Sequence, residues 1–102
     1  MNDPEIISLL EAINRLHGAS ARFREKVYVR EMFRGGVAWE GDVFVFELKN
    51  HPAAKFAYAW SSPIEGSDKR KFYAVLHEGP VKTPTDAVKA AIVKDYQESE
   101  GE

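Results

Sequence analysis

The spacing of the large rings restricts this chain more than any other feature. Most of its six phenylalanines, four tyrosines and two tryptophans fall between Phe23 and Tyr73. There they alternate with polar or small residues. Side chains two apart on an extended strand share a face, so a period of two implies β-structure. Apolar residues occupy both phases of the alternation, which implies a sheet with apolar groups on both faces. Only two segments read as helix. If both pack on one face, an aromatic surface stays open, and a large open apolar surface marks a site for a partner.

The two helices are well signalled. Asp3 suits an N-cap, Pro4 the first helical position and Glu5 the positive end of the dipole. Ile6, Leu9, Leu10, Ile13 and Leu16 then recur at helical spacing, and Gly18 supplies a left-handed stop. Near the other end, Thr83-Pro84-Thr85-Asp86 reads as a capping box. Ala87, Val88, Ala91, Ile92 and Tyr96 form the stripe that follows it. The chain beyond Gln97 is polar and is expected to fray.

Four strands are predicted between the helices. In the first, Val27, Val29 and Phe33 alternate with Tyr28, Arg30 and Met32. Gly35-Gly36 signals a hairpin turn. The run Val37 to Leu48 is long. Val37, Trp39, Val43 and Val45 would share one face, with Phe44, Phe46 and Leu48 on the other. Gly41-Asp42 lies where the phase changes and reads as a bulge, or else as a second tight turn. Asn50-His51-Pro52 ends this strand, because proline brings no ladder donor. Phe56, Tyr58 and Trp60, alternating with Lys55, Ala57 and Ala59, form a third strand. Ser61 to Arg70 is a loop, and Lys71 to His77 is a fourth strand.

Composition narrows the classes. With 102 residues the chain is one domain, 1–102, with a polar tail from about residue 98. There is no cysteine, which excludes disulfides and thiolate sites and fits a reducing, cytoplasmic setting. The N-terminus is acidic and polar, unlike a signal peptide, and no apolar run approaches the ~20 residues that span a bilayer. The net charge is −2, against the basic excess of most nucleic-acid binders. A local basic excess does occur at Arg22, Arg24, Lys26, Arg30 and Arg34.

Motifs for chemistry are weak. His17, His51 and His77 are too scattered for the converging ligands of a metal site, and no metal or cofactor is expected. No serine sits in a nucleophile elbow and no glycine loop cradles phosphate. The helix–sheet–helix order resembles the double-stranded RNA-binding domain. That family has three strands and a basic cluster opening its last helix, where this chain has Lys82-Thr83-Pro84-Thr85-Asp86.

The expected fold is therefore α+β. It is a two-layer sandwich in which a four-stranded antiparallel meander carries an N-terminal and a C-terminal helix on one face. The expected function is non-enzymatic: self-association as a homodimer, or docking of a protein partner, through an aromatic sheet face. Trp39, Phe44, Phe46, Tyr58 and Trp60 would form that face, with Arg30 adding a cation–π contact to Trp39 or Tyr58. Two alternatives remain. One is a nucleic-acid-binding module that stacks bases on open aromatics and holds phosphates with Arg22–Arg34 and Lys69-Arg70-Lys71. The other is a small-molecule-binding protein or enzyme using His51.

Overall fold

Chain order and strand pairing follow the sequence pattern, while the placement of the helices departs from it. The computed structural model describes residues 3–64 and 66–100. Helix α1 (Pro4–His17) leads into strands β1 (Ser20–Phe33), β2 (Gly36–Lys49), β3 (Phe56–Pro63) and β4 (Arg70–Leu76), and helix α2 (Pro84–Glu100) ends the fold. The strands form one antiparallel sheet in the order β1-β2-β3-β4. This is the α+β meander with a helix at each end. Helix α2 runs three residues past Gln97; the last two residues of the expected tail, 101 and 102, lie outside the described residues.

The helix ends hold as their sequences imply. Asp3 caps α1 by accepting a hydrogen bond from the Glu5 N–H at 2.9 Å. Gly18 closes it at φ 65, where its N–H reaches the Asn14 carbonyl at 2.8 Å. A glycine takes this left-handed conformation without a Cβ clash. At α2 the Asp86 N–H donates to Thr83 Oγ1 at 3.0 Å, and the Asp86 carboxylate accepts from the Lys82 N–H at 3.1 Å.

The helices do not share a face. Helix α1 lays Leu9 and Ile13 on Phe44, Phe46, Ala57 and Ala59. Helix α2 lays Ala87 and Val88 on Val43, Val45, Tyr58 and Trp60. Residues 57 and 59 point opposite to 58 and 60, so the helices lie on opposite sides of the sheet. The expected two-layer packing becomes three layers, helix–sheet–helix. The cause is a division of labour along β3. Its alanines admit α1 at close range, while its rings fill the wider gap under α2.

Two bulges organise the long β1–β2 hairpin. Phe23 pairs with Phe46 but Glu25 pairs with Val45, so Arg24 is the extra residue on β1. Glu31 pairs with Trp39 but Met32 pairs with Val37, so Ala38 is the extra residue on β2. An extra residue reverses the alternation beyond it. Ala21 and Phe23 therefore face α1, whereas Val27 and Val29 face α2. Val37 is turned outward, away from Trp39. Gly41-Asp42, expected to bulge or turn, pairs in regular register with Val29 and Tyr28. The hairpin turn itself is Arg34-Gly35, with φ 55 and 82, one residue before the expected pair. Two successive positive φ values match the twist of the flanking strands.

Gly41 has a different role. A Cβ there would meet the Trp39 ring at 3.0 and 3.1 Å. The indole packs over residue 41, which has no side chain to displace it.

Candidate functional site

The residues that sequence assigned to a docking face are mostly core. Phe44, Phe46, Tyr58 and Trp60 are all buried, Trp60 to 2% exposure. Phe44 and Phe46 lie under α1 and pack against Phe23. Tyr58 and Trp60 lie under α2. Trp39 is half-buried and meets Trp60 at 5.8 Å between ring centres; Trp60 in turn stacks on Tyr73 at 5.1 Å with 7° between planes. This column crosses β2, β3 and β4 as internal packing.

Arg30 and His51 stand apart from these rings. Arg30 is exposed and pairs across the hairpin with Glu40. The cations that stand over rings are others, among them Arg34, 4.3 Å from the centre of Tyr96, and Lys26, 5.7 Å from that of Phe44. His51 holds the β2–β3 turn: its Nδ1 accepts from the Ala53 and Ala54 N–H groups at 3.1 and 2.9 Å. A nitrogen accepting two backbone donors carries no proton and serves the turn. Among the described residues no group of three histidine, aspartate or glutamate side chains could hold a metal.

Several cations of the basic stretches are engaged by neighbours. Arg22 and Arg24 both bind Glu47, the latter at 2.7 Å. The hydrogen bond from Arg22, joined by the charges of both guanidiniums, holds the Glu47 carboxyl below its ordinary pKa. Arg70 donates to the Ser61 hydroxyl at 2.8 Å and to its carbonyl at 3.1 Å. Lys71 lies 3.3 Å from Asp95, which also accepts from the Tyr73 hydroxyl at 2.7 Å. Burial first, then Asp95, pushes the Tyr73 hydroxyl above its ordinary pKa, so it stays a donor.

With both faces occupied, the open backbone lies at the sheet edges. Strand β4 is the floor of a concavity of about 510 Å³, walled by Leu16 and His17 of α1 and by Ala91 and Lys94 of α2. From Phe72 to Leu76 the strand carries no charge, has no bulge and is half-buried throughout. The His77 N–H donates inward to Phe56 at 2.9 Å, so residues 73 and 75 share its inward direction. Phe72, Ala74 and Leu76 therefore aim their N–H and C=O groups out of the sheet. The Ala74 carbonyl meets His17 Nε2 at 2.7 Å. A carbonyl only accepts, so this nitrogen bears the proton. Leu16, expected in the apolar stripe of α1, is 51% exposed on the rim of the same groove.

The sequence carried half of this signal. Phe72-Tyr73-Ala74-Val75-Leu76 is an uninterrupted uncharged run, which marks a strand covered on both faces. That this strand ends the sheet is a matter of strand order, which the run does not encode. Comparison with protein-family models, with curated proteins and with solved structures finds no match to this chain.

Proposed function

We propose that the protein acts by association, and that a second copy of the chain pairs with it along β4. The observation that carries this reading is an uncharged, unbulged edge strand at the floor of an apolar groove. Such an edge is a template for another strand, and proteins that leave it unpaired shield it with charge or irregularity. Here neither occurs between Phe72 and Leu76.

A second copy suits the edge. Antiparallel pairing about a twofold axis repeats one surface against itself. With the axis at Ala74, the smallest side chain of the outward set sits where the two backbones meet. Phe72 of one copy then lies opposite Leu76 of the other, and Arg70 opposite Glu78. That places unlike charges together at both ends and gives the exposed Leu16 an apolar neighbour. Self-association is the expected mode of action, carried here by a sheet edge instead of an aromatic face. A cytoplasmic setting, which the cysteine-free composition accommodates, belongs to the same proposal.

The test is solution mass by light scattering across a concentration range, for the wild type and for Ala74→Pro. Proline deletes the outward N–H and leaves the bonds to β3 intact, because a proline is tolerated where its nitrogen faces solvent. The expected result is a wild-type dimer that dissociates on dilution and an Ala74→Pro variant that is monomeric and folded. A wild type monomeric at every concentration, or a dimer indifferent to Ala74→Pro, overturns the reading. Capture of an extended peptide in place of a second copy would show as a monomer whose β4 amides gain protection on adding peptide, and would overturn the choice of occupant.

A further inference from the structure

We infer that His17 is a removable plug on the β4 edge, competing with any strand that pairs there; this rests on the association proposed above. The contact joins residues 57 positions apart and is the only side-chain bond to an outward β4 group among the described residues. Its placement is specific. His17 is the last residue of α1, the Gly18 cap turns the chain away immediately after it, and the half-buried ring projects beyond the helix to the Ala74 carbonyl.

Ala74 is the centre of the outward set Phe72, Ala74, Leu76. A strand laid on this edge directs an N–H at the same carbonyl, and the imidazole ring occupies the approach. Pairing therefore requires the ring to swing out. The Leu76 carbonyl is already turned to the Glu78 N–H at 3.0 Å, a second, weaker closure of the edge toward its end. The N–H groups of Phe72 and Ala74 and the Phe72 carbonyl stay directed outward. They offer an incoming strand its first bonds before the plug is displaced. The groove walls then hold it: Leu16 and Val75 are apolar, and Lys94 stands on the α2 rim.

The arrangement gives the edge a threshold. A monomer keeps its central acceptor satisfied, so a passing strand with few side-chain contacts gains little by replacing one hydrogen bond with another. A strand that also fills the apolar groove gains the difference. Each symmetric dimer displaces two plugs, so removing the ring acts twice.

The experiment compares dimer dissociation constants by light scattering or sedimentation equilibrium for wild type, His17→Ala and His17→Gln, with Ala74→Pro as the control for the edge. His17→Ala removes the competitor and is expected to tighten the dimer by about tenfold or more, taking a modest net value for each lost hydrogen bond. His17→Gln keeps a side-chain N–H donor and is expected to stay within about threefold of wild type, the range left by one comparable bond. Circular dichroism establishes that each variant is folded at the concentrations used. Unchanged or weaker association of folded His17→Ala, with Ala74→Pro still abolishing the dimer, overturns the plug and leaves the edge reading standing. Association that persists in Ala74→Pro overturns the edge reading and the plug with it. Should His17→Ala fail to fold, His17→Gln is compared with His17→Leu, which fills the same space without a donor; equal dissociation constants for those two overturn the plug.

Discussion

The two edges of this sheet are treated in opposite ways. Strand β1 is 14 residues long, is bulged at Arg24 and opposite Ala38, and exposes Arg22, Arg24, Lys26 and Arg30 along its length. Its far half is a two-stranded ribbon, because β2 pairs with β3 only from Phe44 to Glu47. Strand β4 is half as long, regular, and uncharged from Phe72 to Leu76. Charge and bulges make the first edge a poor template for another strand. The His17 imidazole guards the centre of the second, and the Leu76 carbonyl turned to the Glu78 N–H closes its end. The contrast teaches that a sheet can close both faces and one edge with permanent devices while leaving the other edge to a reversible one.

The contrast breaks first if the faces, rather than the edges, carry association. Trp60 sits between Trp39 and Tyr73 under α2, so Trp60→Ala is expected to cost about 3–5 kcal/mol by denaturant titration. The residual folded protein should associate as the wild type does. Loss of association without loss of stability would return the function to the aromatic face.

The rigidity of the β1 side is the next point of attack. Gly41→Ala drives a methyl to 3.0 Å from the Trp39 ring. A cost of about 1–3 kcal/mol is expected from overpacking, with faster amide exchange in the ribbon and none in β4. A neutral effect would mean that the ring moves aside and braces nothing.

Charge on the β1 edge is tested by making Lys26 and Arg30 both valine. The uncharged edge should then become a second template, and the double variant should form assemblies larger than a dimer, read as a mass that rises with concentration. A variant that keeps the wild-type mass would show that the bulges alone protect β1.

The smallest effect concerns acid. The Glu47 carboxylate bridges Arg22 and Arg24, and its pKa is lower in the folded state than in the unfolded chain. Its contribution is full above the unfolded value and is lost as pH falls through the folded one. The side chain is only half-buried and its partners are exposed, so the change should be slight and confined to the acid side of the ordinary carboxylate range. Glu47→Gln should flatten that part of the stability profile and leave the rest unchanged.

Much of this fold is written locally. Asp3, Pro4 and Gly18 delimit α1, Thr83 and Asp86 open α2, and the alternating rings of β3 fix its two faces. What escapes a local reading is which partner each face receives. Ala57 and Ala59 on one side and Tyr58 and Trp60 on the other look like alternatives for one helix layer; they are complementary halves of a strand covered twice. The bulges also escape, since neither Arg24 nor Ala38 has a side chain that marks it as the unpaired residue. Gly41 draws attention as a glycine in a strand, yet its reason is the ring of Trp39 two positions away. The edge groove is the least legible part, because His17 and Ala74 meet only through the order of the strands.

Hydrogen exchange read amide by amide, in dilute and in concentrated protein, separates the two edges. The account expects the outward amides of β4, Phe72, Ala74 and Leu76, to gain protection as concentration rises, while those of Tyr28 and Arg30 on β1 exchange at the same rate throughout. Protection that appears along β1, or β4 amides indifferent to concentration, would contradict it.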